Sequence, residues 1–148
     1  MIVYDKYCYT EECVKKLVRT YFTRGYLIIA FDFDDTILSS ESDYKCYLPA
    51  MLVDKCKQNI NCQLILYTCR SSNRGDGRNL RYAIDICKKL NIEPDFVNEH
   101  AWEDYKGLNG KVFYDIFLDD KAGLGQACEI LELALNRILN ELDKKIID

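Results

Sequence analysis

Three features are scarce or missing in this sequence, and each absence argues against a class of function. The 148 residues include one histidine, His100, and no cysteine pair spaced C-x-x-C, so the usual zinc sites are not expected. No apolar run approaches the length of a membrane span, and we expect no membrane partner. With a net charge of −4, the chain has no overall cationic field to attract nucleic acid or anionic lipid.

The first residues also lack the basic-then-apolar pattern of a secretion signal. Eight cysteines are spread along the chain, several of them at positions that look apolar and buried. We therefore expect reduced thiols and a cytoplasmic location rather than a disulfide framework. The length and a hydrophobic content of 49% predict one globular domain over residues 1–148.

The stretch from Leu27 to Thr36, with the sequence LIIAFDFDDT, organises the chain. Five apolar residues run without a break and are followed by three carboxylates within four positions. An unbroken apolar run of this length predicts a strand buried on both faces, as at the centre of a parallel sheet. Crowded carboxylates raise each other's pKa, and a bound cation removes that cost. The stretch therefore predicts a metal-loaded carboxylate site at a strand end.

Strand and helix patterns alternate along the rest of the chain, which predicts an α/β fold: a Rossmann-like, three-layer α/β/α arrangement around a central parallel sheet. The predicted strands cover residues 26–31, 63–67, 95–97 and 112–118. The predicted helices cover 11–24, capped by Thr10 and ended by Gly25; Pro49 to about Asn59; 80–90, with Asn91 as a left-handed cap; and 126–147. Residues 1–25 are an N-terminal addition to a core at 26–128.

Polar residues of particular types close three of these strands. They are Asp32 and Asp34, then Thr68, then Asp119 and Asp120, with Lys111 near the start of the fourth strand. The carboxyl ends of parallel strands meet in one crevice, where open α/β sheets bind ligands. Residues two apart in extended chain point to the same side, so both carboxylates of D-x-D can face that crevice. Carboxylates, a hydroxyl and an ammonium together suit Mg²⁺-assisted phosphoryl transfer.

The same residues, in this order, resemble the four motifs of the haloacid dehalogenase superfamily, over roughly residues 26 to 128. The stretches YTCR at 67–70 and KVFYDIFLDD at 111–120 resemble small phage and bacterial members of that superfamily. The resemblance implies a Mg²⁺-dependent phosphatase that acts through an aspartyl-phosphate. It implies that Asp32 is the nucleophile, and that Asp34 is the acid for the leaving group and then the base for water.

The resemblance further implies that Thr68 and Lys111 hold the transferring phosphoryl group. Lys106 competes with Lys111 for that role, and we favour Lys111 because it lies just before the fourth strand. The implied magnesium residues are Asp32, Asp34 through its backbone carbonyl, Asp119 as a direct ligand, and Asp120, which acts on the metal indirectly. Asp35 stands where many members have glycine, and we interpret it as a loop residue.

The intervals on either side of Thr68 are too short for an independent cap domain, so we expect a capless, open site. Such a site admits a phosphorylated metabolite or nucleotide, and also a phosphorylated nucleic-acid end. An oligomer partner could cover it. Arg70 follows Thr68 closely enough to reach a second anionic group of the substrate. Asn98 follows the third strand and is a further candidate for lining the pocket.

Two other kinds of protein remain as alternatives. A receiver-type phospho-acceptor domain also combines acidic residues, a threonine and a lysine on a small α/β fold. In receivers, however, the acceptor aspartate closes the third strand, whereas here that strand is followed by Asn98 and Glu99. A non-catalytic binding domain on the same scaffold is the second alternative.

Overall fold

The computed structural model describes residues 5–41, 47–72, 75, 77–99 and 112–147. A single 3-10 turn at Lys6–Cys8 precedes four α-helices and four β-strands. The helices are α1 (Thr10–Arg24), α2 (Tyr47–Asn59), α3 (Leu80–Lys89) and α4 (Leu124–Ile147). The strands are β1 (Leu27–Phe31), β2 (Cys62–Leu66), β3 (Phe96–Val97) and β4 (Ile116–Leu118).

The four strands form one parallel sheet in the order β3-β2-β1-β4. β1 lies between β2 and β4, so the last residue of β1, Phe31, pairs with both Leu66 and Leu118. The carboxyl ends of β1, β2 and β4 therefore lie side by side. The predicted α/β class with a central parallel sheet of Rossmann-like topology is confirmed.

Alternation along the strands divides the core into two parts. Every residue of β1 is fully buried, as the unbroken apolar run predicts. Leu27, Ile29 and Phe31 belong to the larger cluster, together with apolar residues of all four described helices. Ile28 and Ala30 face the other way, into a smaller cluster that includes residues of β2, β4 and the chain entering β4. Apolar residues of all four described helices thus pack in the cluster that holds Leu27, Ile29 and Phe31.

Helix ends follow the sequence in some places and not in others. Gly25 ends α1, as predicted, with a φ of 95°, and Asn91 follows α3 in the predicted left-handed conformation with a φ of 63°. The predicted cap by Thr10 is wrong. Tyr9 occupies the N-cap without a side-chain hydrogen bond, while the Thr10 Oγ1 accepts a hydrogen bond from the Gln126 side chain of α4 at 3.3 Å.

The fourth strand is shorter than predicted. The pattern from Val112 to Leu118 predicts one strand, but only Ile116–Leu118 pairs with β1. Val112 and Tyr114 instead pack into the smaller core cluster. The Asp115 carboxylate accepts a hydrogen bond from the Ile28 amide at 2.6 Å. Apolar character in this segment therefore reflects burial rather than strand pairing.

The intervals around Thr68 hold few elements within the described residues. α2 and β2 occupy the first interval, and α3 with the two-residue β3 occupies the second. The capless, open site stays a prediction. Among the same residues, no helix has the length and apolarity needed to cross a membrane.

The seven described cysteines carry free thiols, while Cys46 lies outside the described residues. Burial raises the pKa of Cys56 and of Cys87 to about 12, so both thiols stay protonated at neutral pH. Both side chains belong to the larger core cluster. They act there as small apolar side chains rather than as reactive groups.

Candidate active site

The residues that close β1, β2 and β4 meet at one edge of the sheet. Asp32 directly follows β1, and its amide donates a hydrogen bond to the Leu118 carbonyl at 2.9 Å. On the other side of β1, the Tyr67 amide donates to the Phe31 carbonyl, also at 2.9 Å. These two bonds extend the parallel pairing beyond the strands and bring the end of β1 between its neighbours. The predicted crevice lies here.

Three of the predicted carboxylates form one group. One oxygen each from Asp32, Asp119 and Asp120 lies within 4.8 Å of the others. Asp32 and Asp119 are partly buried, and Asp120 is exposed. Three carboxylate oxygens at this spacing are the kind of donor set that a hard divalent cation such as Mg²⁺ takes in proteins, with water and substrate completing its shell.

The electrostatics of this group also fit a cation. Burial is the largest cause that raises the pKa of Asp32 to about 6. A hydrogen bond from the Phe33 amide lowers this pKa, while the charges of Asp119, Asp120 and Asp34 raise it further. Partial desolvation and the contact with Asp119 likewise raise the pKa of Asp120. A divalent ion bound between these carboxylates would stabilise their ionised forms. The residues present therefore fit the implied metal.

Asp34 has different surroundings. Its two carboxylate oxygens accept hydrogen bonds from Arg70, from Nη2 at 2.6 Å and from Nε at 3.0 Å. The chain turns directly after Asp32, because the Phe33 carbonyl accepts hydrogen bonds from three amides, those of residues 36–38. Asp34 still lies near enough to Asp32 to raise the pKa of Asp32. The carboxylate of Asp34, however, pairs with the Arg70 guanidinium.

Arg70 is itself firmly held. Its guanidinium carbon lies 5.0 Å from the ring centre of Phe33 and 5.7 Å from that of Tyr82, and it donates a hydrogen bond to the Arg78 carbonyl. Only 7% of the side chain is exposed. Sequence analysis expects Arg70 to reach a substrate anion, and that role stays a prediction. The contacts described here give Arg70 a different role, which is to hold Asp34.

Thr68 and Asn98 act together at the end of β2. The Asn98 Oδ1 accepts a hydrogen bond from the Thr68 amide at 2.8 Å, and the Asn98 backbone has a φ of 55°. The Thr68 Oγ1 accepts from the Arg70 amide at 3.2 Å. Asn98, predicted as a pocket residue, lies beside the crevice and fixes the loop that carries Thr68.

A cavity of about 320 Å³ opens at this edge of the sheet. Predicted residues lining it include Asp32, Thr68, Asn98 and Asp119. Sequence analysis did not assign the other lining residues, which are Tyr67, Cys69, Phe117 and Lys121. Alternation along β1, β2 and β4 could have found the two aromatic residues, because Ala30, Tyr67 and Phe117 share one face of the sheet.

Thr36 is a further residue without an assigned role in the sequence analysis. Its side chain is fully buried, and its Oγ1 accepts a hydrogen bond from the Asp120 amide at 3.2 Å. Asp35, interpreted as a loop residue, has a φ of 59° and accepts hydrogen bonds from Ser40 at 2.8 Å. A backbone of that hand suits glycine, and also aspartate, so the departure from glycine fits the loop.

The sequence predicts that a lysine holds the phosphoryl group. Lys111 and its competitor Lys106 both lie outside the described residues. Lys121, which follows the aspartate pair, is a described cation that lines the cavity. Its charge also contributes to the lowered pKa of Asp35, after the hydrogen bonds from Ser40.

Comparison of the chain with protein-family models, with curated proteins and with solved structures finds no match. The resemblance to the haloacid dehalogenase superfamily therefore stays a prediction from the motif residues.

Proposed function

We propose that this protein is a Mg²⁺-dependent phosphomonoester hydrolase of the haloacid dehalogenase superfamily, with Asp32 as the phosphorylated nucleophile. One observation carries the proposal. The carboxylates of Asp32, Asp119 and Asp120 share one group at the carboxyl edge of a parallel sheet, and Thr68 lines the same cavity. This combination supports phosphoryl transfer to a carboxylate beside a divalent cation.

Asp32, Asp119 and Asp120 are the side chains that would hold Mg²⁺, and the Asp34 backbone carbonyl is the further ligand that the resemblance implies. The cation would neutralise negative charge on the phosphoryl oxygens and on the carboxylates around it. This ligand set leaves one oxygen of Asp32 available for attack. The hydrogen bond from the Asp120 amide to Thr36 fixes the loop that presents the aspartate pair.

In the first half of the reaction, an Asp32 oxygen forms a bond to phosphorus and the bond from phosphorus to the leaving oxygen breaks. Asp34, the general acid that the resemblance implies, gives a proton to that oxygen, so that an alcohol departs. In the second half, Asp34 takes a proton from water, and the hydroxyl group attacks phosphorus. The bond to Asp32 then breaks, which releases inorganic phosphate and restores the carboxylate.

Arg70 sets the position of Asp34 for both proton transfers. Its two hydrogen bonds fix the carboxylate in one orientation, and the Phe33 and Tyr82 rings fix the guanidinium. Thr68 is placed to donate a hydrogen bond from its hydroxyl to a phosphoryl oxygen, since Asn98 holds its backbone at the cavity. Lys111 is the cation that the resemblance assigns to the phosphoryl group.

The proposed substrates are phosphorylated metabolites or nucleotides, and a phosphorylated nucleic-acid end is the second candidate. The cavity is open and lined by few residues, which supports access for either class. The proposed location is the cytoplasm, which agrees with free thiols at the described cysteines.

The test is turnover of a generic aryl phosphate by the purified protein, with Mg²⁺ and with a chelator. We expect hydrolysis that needs Mg²⁺ and that falls by at least about a thousandfold in Asp32→Asn, because an amide cannot form the covalent intermediate. Asp54→Asn is the matched control, since Asp54 does not line the cavity and accepts a hydrogen bond only from Gln58 among the contacts described.

Full activity of Asp32→Asn would contradict the proposal. A long-lived phosphorylated protein without release of phosphate would favour the receiver-type alternative instead. Mass spectrometry of the protein after brief exposure to substrate separates these two results, since the intermediate adds one phosphoryl group to the chain.

A further inference from the structure

The cavity beside Asp32 has an aromatic side that the phosphoryl chemistry does not use. Ala30 and Asp32 point to the same face of the sheet, because they are two apart on an extended chain. Tyr67 and Phe117 flank them on that face, from the end of β2 and from β4. The nucleophile therefore stands beside two aromatic rings.

The two rings form a continuous surface. Their centres lie 5.7 Å apart with planes inclined at 57°, and Phe117 packs in turn on Tyr114 with centres 5.2 Å apart. Ala30, which pairs with Phe117 in the sheet register, has a side chain small enough to let the rings meet across β1. We name Tyr67 and Phe117 the aromatic shelf. Tyr114 contacts the shelf through Phe117.

The exposed side of the shelf faces the cavity. Tyr67 is 40% exposed, and both shelf residues line the same space as Asp32 and Thr68. An exposed aromatic ring beside a reactive polar group is costly to leave in water and suits contact with a second flat ring. The cavity volume of about 320 Å³ is at the lower end for small-molecule sites, which is enough for one compact ligand.

We propose that the aromatic shelf binds the base of a nucleotide, so that the substrates of this site are nucleoside monophosphates rather than ringless phosphate esters. The proposal rests on the phosphatase function proposed above and adds the substrate class. The phosphoryl group sits at Asp32 and Thr68, and the base lies against Tyr67. Stacking of this kind accepts any base, because every base has a flat π-face.

The kinetic test compares adenosine 5′- and 3′-monophosphate with ribose 5-phosphate, which has the sugar and phosphate but no base. We expect kcat/KM for the better nucleotide to exceed that for ribose 5-phosphate by about tenfold or more. Tyr67→Ala should reduce this ratio toward one, while Tyr67→Phe should keep it because the ring remains. Tyr9→Ala is the matched control, since Tyr9 is 56% exposed and precedes α1.

A binding measurement separates this proposal from the proposed catalysis. Asp32→Asn, which cannot turn over, is titrated with adenosine monophosphate and with ribose 5-phosphate in the presence of Mg²⁺. The shelf is supported if Asp32→Asn binds the nucleotide more tightly than ribose 5-phosphate and the double variant with Tyr67→Ala does not. This result does not depend on whether the wild-type protein hydrolyses phosphate esters. Equal affinities for the two ligands would overturn the shelf even if the protein proves to be an active phosphatase.

A short oligonucleotide with a terminal phosphate distinguishes the two sources of a base. If its kcat/KM exceeds that of the mononucleotide and falls with salt, the base on the shelf belongs to a nucleic-acid end. If the mononucleotide is preferred, the free nucleotide is the substrate. The proposal is contradicted if the wild-type kcat/KM for the nucleotide equals that for ribose 5-phosphate. It is also contradicted if the ratio of these two kcat/KM values is unchanged in Tyr67→Ala.

Discussion

Two aspartates that are separated by one residue have opposite surroundings in this site. Asp32 faces other carboxylates, and burial with their charges raises its pKa to about 6. Asp34 faces a guanidinium that holds both of its oxygens. Such a division suits a nucleophile that needs a cation and a proton carrier that needs a fixed orientation. Under the proposed function, Arg70 would be a positioning residue, which acts through Asp34 rather than on the substrate.

Arg70→Gln tests this division at the scale of one residue. We expect it to slow hydrolysis of an alkyl phosphate by about tenfold or more, because a poor leaving group needs a proton from a well-placed acid. Hydrolysis of an aryl phosphate with a good leaving group should fall much less. The measurement is kcat for both substrates with saturating Mg²⁺.

Arg81→Gln is the control for this comparison, since it removes the same charge from an exposed position that pairs only with Asp85 among the described ion pairs. A loss of equal size on both substrates, expressed mainly in KM, would show that Arg70 binds the substrate phosphate, as the sequence alone suggests. Arg70→Lys, which keeps the charge but not the two-point contact, should resemble Arg70→Gln in kcat.

At the scale of elements, two aspartates at strand entrances hold neighbouring strands. The Asp95 carboxylate, before β3, accepts a hydrogen bond from the Leu64 amide at 2.8 Å. The Asp115 carboxylate, before β4, accepts from the Ile28 amide at 2.6 Å and pairs with Arg24 at the end of α1. A carboxylate just before each edge strand therefore accepts a hydrogen bond from the neighbouring strand, and at β4 an ion pair is added.

Asp115→Ala should destabilise the protein more than Asp95→Ala. The Asp115 side chain is only 8% exposed, and its removal leaves Arg24 without this partner, so we expect a loss of about 3 kcal/mol in the free energy of unfolding. Asp95 is exposed, and we expect its removal to cost about 1 kcal/mol. Urea denaturation of both variants measures the difference. Equal losses would show that the Arg24 pair contributes nothing beyond the strand hydrogen bond.

The elements that the sequence predicts well are those with a local cause. The buried β1 follows from five consecutive apolar residues, and the end of α1 follows from Gly25. Thr10 shows the opposite case, because a long-range contact with Gln126 takes the oxygen that could have capped the helix. The short β4 is another such case, since apolar residues before it serve the smaller core cluster.

The site shows the same limit. The strand-end positions of Asp32, Thr68 and Asp119 follow from pattern and parallel topology, and the structure brings them to one cavity. The pairing of Asp34 with Arg70 joins residues that lie far apart in sequence, and either could equally have faced the substrate. No local spacing distinguishes these arrangements, so only the folded chain assigns Arg70 its partner.

At the scale of the whole molecule, the sheet has two unlike faces. Apolar residues of all four described helices belong to the cluster that holds Ile29 and Phe31. The cavity opens on the side of Asp32, which shares the opposite face with Ala30, Tyr67 and Phe117. An unbroken apolar strand cannot reveal this asymmetry, because both of its faces are buried. Among the described residues, the larger core cluster and the candidate site thus lie on different faces of β1, and Asp32 at the end of the strand joins the site to the sheet.

That link predicts how stability depends on pH and metal. The folded protein raises the pKa of Asp32 from 3.8 to about 6, so the folded state holds this proton more tightly than the unfolded state. Without metal, the contribution of Asp32 to stability is most favourable below about pH 4 and is lost as the pH rises through 6. The full shift corresponds to about 3 kcal/mol, and solvent screening of this partly exposed group reduces the expected loss to about 1–2 kcal/mol.

Urea unfolding of wild type and Asp32→Asn in chelator, from pH 4.5 to pH 7.5, measures this contribution together with the interaction of Asp32 with Asp119 and Asp120. The wild type should lose stability relative to the variant as the pH rises. Mg²⁺ at pH 7.5 should then stabilise the wild type more than the variant, since it binds the ionised carboxylates of the folded state alone. Parallel pH curves for the two proteins, with equal responses to Mg²⁺, would mean that Asp32 neither resists ionisation nor contributes to a metal site.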